Sequence, residues 1–475
     1  MGTYKRIKGT KDIFGDEIDY WNYVEDTAKD LFHRYGFMEI RTPIMEEEEL
    51  FSRGIGQDTD IVQKEMYTFE DKKGRLITLR PEGTAPVARA YIENSLINLG
   101  SPQKFFYIGP MFRYEKPQSG RYREFYQIGA EIFGTDHPLA DAELIVLVFD
   151  YLTTLKLNNF KIKINSIGTP KSRENYKKAL KVYYEPLIPN LCEDCKRRFN
   201  TNILRLLDCK IDTEAAKKAP SILDYLDEES RNDFESLKKY LEIFEIPYEI
   251  DSRIVRGLDY YSKTAFEVIH KDLGEQAVIV GGGRYDNLVE QLGGPKTPAV
   301  GFALGIERII EALKKEEVKI KKRALIDVYI AFQGERGQIE SIKLSKELRK
   351  KGIKTFLNIS QRNLSGQFRH ADRLNARFTL VLGEDEISND IVTIRDMESG
   401  EQTQVERSWV TEIILEKLNE WGILLKFLMW VSINNMNFRN KMFLKISNWI
   451  YSGSRAEPSP LSLATSTEKV KEIRN

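Results

Sequence analysis

Phe105-Phe-Tyr-Ile-Gly-Pro-Met-Phe-Arg113 and Glu124-Phe-Tyr-Gln-Ile-Gly-Ala-Glu-Ile-Phe133 alternate their side-chain character at period two and flank a charged stretch, Lys116 to Arg123. Such alternation predicts two antiparallel strands joined by a long polar loop, a hairpin of unusual kind. On the second strand Phe125, Gln127 and Glu131 share one face, because successive side chains point to opposite sides of a sheet. Polar side chains on a face shared with aromatics are hard to explain as core. They belong either to a binding site or to a hydrogen-bonded sheet rim.

Outward from this hairpin the chain reads as α+β. Ile18, Trp21, Val24, Ala28, Leu31 and Phe32 recur at helical spacing, predicting a helix over Asp16–Tyr35 that stops at Gly36. Phe37 to Pro43 reads as a strand closed by proline, and Arg80-Pro-Glu-Gly-Thr84 as a polar turn in which Thr84 caps a helix over Ala85–Asn94. Residues from about 169 to 248 are charge-rich and helical in pattern, an insertion into the stranded part. From Ile326 the rhythm changes to strand Asp327–Phe332, helix Gln338–Lys351, strand Ile353–Leu357, helix Gly366–Asn375 and strand Arg377–Leu382, a small α/β domain with a mainly parallel sheet. The expected boundaries are 1–320, 325–418, and an atypical tail over 419–475 that is partly of disorder-like composition. Lys314 to Arg323 reads as a charged linker or a solvated helix end.

Composition narrows the function classes. A chain of 475 residues with 72 basic and 72 acidic side chains has no net field, so any nucleic-acid contact must come from local basic surface. Neither a signal peptide nor a membrane-spanning run is evident, and the expected location is the cytoplasm. Cys192, Cys195 and Cys209 are odd in number and form no disulfide framework. They offer three soft ligands without a fourth cysteine or nearby histidine, which leaves zinc binding open, and no dedicated metal site is expected.

Arg256-Gly-Leu-Asp-Tyr-Tyr261 places a permanent cation beside two phenols, a composition suited to gripping an anion and walling a small planar substrate. Gly281-Gly-Gly-Arg-Tyr-Asp286 indicates a turn or a close backbone approach, and Val300-Gly-Phe-Ala-Leu-Gly-Ile-Glu-Arg308 a small apolar strand entering a helix. With Ile40-Arg-Thr-Pro-Ile-Met45, Arg80–Thr84 and Phe112-Arg-Tyr-Glu115, these blocks run through residues 1 to 418 in the order seen in histidyl-tRNA synthetases, which the chain resembles.

The resemblance implies a class II synthetase-like antiparallel sheet with flanking helices, a helical insertion, and a C-terminal α/β anticodon-binding domain. It implies a ligase that activates L-histidine with ATP and transfers it to the 3′ end of its tRNA, with Mg2+ on the phosphates and a homodimer built through the Ile40–Met45 segment. Arg113 would contact the α-phosphate, Glu115 the adenine amino group, Phe125 the base and Arg308 the γ-phosphate. Glu82 and Thr84 would receive the substrate's amino group with Gly83 beside them in the histidine-binding set, Gln127 its carboxylate and amino end, and Glu131 its imidazole. Tyr260, Tyr261 and Tyr285 would line the histidine pocket, with Arg256 opposite Arg113 at the α-phosphate. Individually several blocks have plainer readings, such as an Arg113–Glu115 ion pair on an exposed sheet. The rival whole-chain readings are a histidine-sensing regulatory subunit of ATP phosphoribosyltransferase and a tRNA-binding scaffold with a vestigial site. The loop Lys116–Arg123 would meet the acceptor end. Lys343, Lys346, Arg349, Lys350, Lys351, Arg369 and Arg373 are candidate phosphate contacts in the second domain, although a solvated helix face explains each of them alone.

Overall fold

The computed structural model describes residues 3–418 apart from 57, 58, 60, 116–120, 208, 210, 255–259, 275–277, 321–325 and 361. The expected tail over 419–475, most of the Lys116–Arg123 loop, and Arg256 therefore lie outside the described residues. The chain divides into two compact units, Met1–Lys322 and Arg323–Asn475.

Strands of the first unit are β1 (Met38–Glu39), β2 (Met45–Glu47), β3 (Tyr67–Glu70), β4 (Leu76–Leu79), β5 (Gln103–Phe112), β6 (Glu124–Phe133), β7 (Phe160–Ser166), β8 (Glu249–Ile250), β9 (Ser262–His270), β10 (Val278–Arg284) and β11 (Ala299–Gly305). Its helices are α1 (Asp16–Arg34), α2 (Glu48–Ile55), α3 (Thr84–Glu93), α4 (Pro138–Thr154), α5 (Pro170–Tyr184), α6 (Glu193–Thr201), α7 (Thr213–Lys217), α8 (Glu228–Ile243), α9 (Leu288–Gln291) and α10 (Ile306–Lys315). Eight strands form one sheet in the order β1-β5-β6-β11-β10-β9-β7-β8. Its centre is antiparallel throughout, and only the outer pairs β1–β5 and β7–β8 are parallel.

The period-two pattern divides this sheet cleanly. Phe106, Ile128, Ala130, Ile132, Val300, Phe302 and Leu304 point to one side and bury against α1, α4 and α10. Phe105, Tyr107, Met111, Phe133 and Ala265 point to the other, where Phe51, Ile55, Ala85, Val87, Ala88 and Tyr91 cover them from α2 and α3. In α1 the stripe Trp21, Val24, Ala28, Leu31 and Phe32 is buried as its spacing predicts, but Ile18 stays exposed at the helix start. Gly36, at φ +79°, turns the chain out of the helix, a conformation glycine adopts without strain.

The strand expected over Phe37–Pro43 shortens to β1. After the Ile40 amide bonds Phe106 O at 2.8 Å, the Thr42 carbonyl is taken instead by the buried Arg80 guanidinium, at 3.0 Å. A backbone group bonded to a side chain no longer serves the ladder. The insertion is helical as its charge pattern predicts, with α5 to α8 and short 3-10 turns between them. Lys263, on β9, ties it down through Glu229 at 2.6 Å and Asp233 at 2.7 Å on α8. The expected linker overlaps α10, which continues through Lys315.

In the second unit β12 (Val328–Phe332), β13 (Thr355–Leu357), β14 (Phe378–Leu382), β15 (Ile391–Asp396) and β16 (Gln402–Glu406) form one sheet, with α11 (Gly334–Lys350), α12 (Leu364–Arg373) and α13 (Glu384–Ser388). The parallel part, β13-β12-β14, is the expected α/β pattern. The hairpin β15–β16 adds two antiparallel pairings and makes the sheet mixed. That hairpin escapes a reading based on helix–strand alternation, since no helix longer than α13 separates it from β14.

Candidate active site

The sheet face opposite α1 carries rows of residues in register. One row runs Phe105, Glu131, Gly301, Gly283, Ala265, and the next Tyr107, Gly129, Ala303, Gly281, Glu267. A third pairs Gly109 and Gly305 on either side of Gln127. Glycines thus flank the two polar residues of β6 and leave the sheet open enough for side chains from elsewhere to lie flat on it. A Cβ at Gly301 would sit 1.6 Å from Glu131 Oε2, and one at Gly109 would sit 2.4 Å from Arg80 Nη2. The Tyr107 ring fills the space above Gly129 and beside Gly83, where added Cβ atoms would meet it at 2.2 and 2.3 Å.

Glu131 is fully buried at the floor of this face. Thr84 Oγ1 donates to its Oε1 at 2.8 Å, and the Tyr285 hydroxyl donates to its Oε2. Burial pushes its pKa up to about 8 against the pull of these two donors, and nearby Glu82 adds to the rise. Thr84 begins α3 but does not cap it. That task falls to Glu82, whose carboxylate accepts from the Thr84 amide at 2.7 Å and the Ala85 amide at 2.8 Å. A carboxylate at a helix N-terminus is favoured by the unpaired amides there, which frees the Thr84 hydroxyl to reach Glu131. Burial raises the Glu82 pKa, while those amides and then Arg113 oppose the rise.

Tyr260, Tyr261 and Tyr285 form one aromatic wall, with ring centroids 4.7 Å apart for the first two and 5.6 Å between Tyr260 and Tyr285. All three are buried. The segment bearing Tyr285 is held by Arg284, a residue 1 % exposed whose guanidinium bonds Asp141, Asp286 and the Thr135 carbonyl. Burial alone would lower the Arg284 pKa, but Asp141 and Asp286 carry it above its ordinary value.

At the open end of the hairpin the Arg113 Nε donates to Pro81 O at 2.8 Å, joining the end of β5 to the Arg80–Thr84 turn. Its guanidinium stands 5.2 Å from the centre of the Phe125 ring. Glu115 is 3.9 Å from Arg113 but bonds Arg121 at 2.9 Å, so the half-buried Arg113–Glu115 pair is the looser contact. Arg308 donates to the Val278 carbonyl. Burial lowers its pKa first, and Arg121 and Arg113 lower it further while Glu115 and Glu311 oppose them, so three guanidinium groups share one region. Such a convergence is costly unless an anion joins it.

The structure therefore brings Glu82, Gly83, Thr84, Gln127, Glu131, Tyr260, Tyr261 and Tyr285 to one face, and Arg113, Glu115, Phe125 and Arg308 to its open end. Two features escape the sequence reading. Tyr107 was legible as a strand residue but not as a neighbour of Glu131, because the long loop hides the hairpin register. Its hydroxyl and Gln127 Oε1 are both buried without a hydrogen-bond partner among the described residues, an expense that a polar ligand would remove. The second is Asp212, whose carboxylate lies among Cys192, Cys195 and Cys209. In the second unit Lys343, Lys346, Arg349, Lys350, Lys351, Arg369 and Arg373 are all exposed, with Lys343 paired to Glu340 and Arg349 donating to Thr355 O.

Comparison with known proteins identifies the family. Residues 9–309 match the family model for histidyl-tRNA synthetase, and residues 327–417 that for an anticodon binding domain. A histidine–tRNA ligase from Thermotoga maritima is 54% identical over 417 residues, covering 88% of this chain and 99% of that protein. One from a Geobacillus species is 48% identical, covering 87% and 99%. The apo histidyl-tRNA synthetase of S. aureus superposes with a TM-score of 0.74 at 39% identity, over 87% of this chain and 100% of that one. With both family models matched in order and relatives aligned over nearly their whole length, the chain belongs to the histidyl-tRNA synthetase family.

Proposed function

We propose that this protein is a histidine–tRNA ligase whose two half-reactions take place on the glycine-lined sheet face. The histidine carboxylate attacks the α-phosphorus of ATP, a P–O bond forms to the carboxylate, and pyrophosphate leaves. The 3′-terminal hydroxyl of the tRNA then attacks the carbonyl carbon, and AMP leaves as the ester forms. Both partners of the first step are anions, so cations must remove their repulsion before attack. Arg113 does so at the α-phosphate, Arg308 holds the γ-phosphate, and Glu115 and Phe125 receive the adenine. Arg256, from its place in the Arg256–Tyr261 signature, takes the opposite side of the same phosphorus.

The observation that carries this reading is Glu131, buried between the hydroxyls of Thr84 and Tyr285 under an aromatic wall. A carboxyl group facing one imidazole nitrogen, with Tyr261 near the other, reads histidine by both nitrogens. Glu82 and Thr84 receive the ammonium group, and Gln127 the carboxylate and amino end. Rejection of other amino acids follows from the partners that they would leave unpaired, worth about 10⁴ or more in discrimination.

Magnesium would ride on the ATP phosphate oxygens and stabilise the leaving pyrophosphate. Among the described residues the one grouping of three or more metal-ligating side chains is the thiol-rich one in the insertion. Exposed Ile44 and Met45 within the Ile40–Met45 segment, with Met38 just before it, supply an apolar surface for a homodimer. No helix among the described residues is long and apolar enough to cross a membrane, consistent with a cytoplasmic enzyme. A domain division near 320 and 325–418, with the anticodon read by the second domain, completes the proposal.

The regulatory-paralogue reading is not favoured. The chain carries an anticodon-binding domain match together with the arginines and tyrosines of the site. Histidine-dependent ATP–pyrophosphate exchange, followed by charging of histidine tRNA, tests the ligase on the full chain and on a chain ending at residue 418. Exchange without charging, or neither activity in both chains, would remove the assignment.

A further inference from the structure

The helical insertion holds a cluster that the ligase chemistry does not use. Cys192 precedes α6 and Cys195 lies in its first turn, while Cys209 and Asp212 precede α7. The spacing is Cys-x-x-Cys followed by Cys-x-x-Asp, so two short loops each present a pair of ligands at the start of a helix. One sulfur from each cysteine and one Asp212 oxygen all lie within 4.8 Å of one another. All three cysteines are free thiols.

From the residues and their distances, we infer that this cluster is a structural zinc site with three thiolates and one carboxylate. Tetrahedral zinc with Zn–S bonds of about 2.3 Å and Zn–O bonds of about 2.1 Å requires S···S edges of about 3.8 Å and S···O edges of about 3.6 Å. Cys192 Sγ and Cys209 Sγ are 3.7 Å apart, and Cys209 Sγ is 3.6 Å from Asp212 Oδ2. A disulfide would instead bring two sulfurs to about 2.05 Å and leave the third unpaired. The soft donor set selects zinc over magnesium or calcium.

The surroundings complete such a site. The Asp212 amide donates to Cys209 Sγ at 3.3 Å, and the Cys192 amide to Asp212 Oδ2 at 3.0 Å, so ligands and backbone are interlocked. Cys195 and Cys209 are buried beside Leu191, Ile203, Leu206 and Leu207. Ordinary core packing does not explain a carboxylate aimed at three sulfurs, since an acidic side chain contributes nothing apolar there. The segment also needs a fastener. It is made of a nine-residue helix, a five-residue helix and a four-residue 3-10 turn, elements too short to be stable alone. Binding of zinc would supply folding free energy to this part of the insertion.

The test begins with the full chain purified in reducing buffer without chelator. Elemental analysis is expected to find one zinc per chain. Cobalt(II) added to the metal-stripped protein is expected to give the thiolate charge-transfer and intense d–d bands of a tetrahedral site. A Cys195→Ser, Cys209→Ser double variant loses the metal. Asp212→Cys keeps it, which separates loss of a ligand from loss of the fold. Zinc removal makes the 185–212 segment sensitive to protease, and added Zn2+ restores protection. Substoichiometric zinc in the native protein with no tetrahedral cobalt spectrum would overturn the proposal, as would iron in place of zinc or zinc retained by the double variant.

Discussion

Thr84 Oγ1 donates to Glu131 Oε1 at 2.8 Å, joining the first residue of a helix to the middle of a strand 47 positions away. This bond exists because Glu82 caps α3 in place of Thr84. The division of labour puts a neutral donor against a buried acid whose pKa has risen to about 8.

A rise from the ordinary value of 4.5 to about 8 has a definite sign. As pH climbs from about 5 to about 8, the unfolded chain has already lost a proton that the folded protein still holds, so the stability from this group falls by at most about 1.4 kcal/mol per pH unit. Thermal melts at about pH 5.5 and 8.5 should therefore show Glu131→Gln gaining on the native protein as pH rises. In kinetics, Glu131→Ala should raise the KM for histidine far more than that for ATP. Equal rises would count against an imidazole contact.

Gly301→Ala introduces a methyl group 1.6 Å from Glu131 Oε2, on an interior strand that cannot step aside. Overpacking of this kind costs about 1–3 kcal/mol, and displaced Glu131 should abolish histidine activation. A variant with native melting temperature and native exchange rate would refute the close fit.

Arg113→Ala should lower adenylate formation by about 10² or more through lost transition-state stabilisation, while histidine binding, measured by calorimetry, persists. The same outcome is expected of Arg256→Ala. Near-normal exchange in either variant removes that residue from the phosphate.

Tyr107→Phe removes a buried hydroxyl that has no partner among the described residues. Stability should be unchanged or rise by about 1 kcal/mol, yet the KM for histidine should increase if the hydroxyl faces substrate. A marked drop in melting temperature would show instead that the hydroxyl is bonded within the protein.

Asp141→Asn leaves the Arg284 guanidinium buried without its main counter-charge. Breaking such a pair costs about 3–5 kcal/mol, to be read in urea unfolding. Since Arg284 positions the strand end before Tyr285, histidine affinity should fall as well. A loss under about 1 kcal/mol would mean that the site relaxes or takes in water.

Much of the fold was legible along the chain because its signals are local. The α1 stripe and the alternation of β5 and β6 each need only a few neighbours in sequence to declare themselves. The exceptions have physical causes. Ile18 is exposed because it lies at the start of α1, and the strand after Gly36 stops early because Arg80 captures the Thr42 carbonyl. Only the five-residue α13 separates the hairpin β15–β16 from β14, too short a helix to show as helix–strand alternation.

By itself, then, the sequence determined which motifs are present and in what order, and the periodicities that assign each segment to helix or strand. Only the tertiary structure decided that Tyr107 lies over Gly83 and Gly129, that Arg284 is neutralised by Asp141, and that Asp212 joins three cysteines. These relationships depend on strand register and on loops that bring distant residues together. No short stretch of chain carries that information, because a buried polar group is satisfied by whatever the whole fold places beside it.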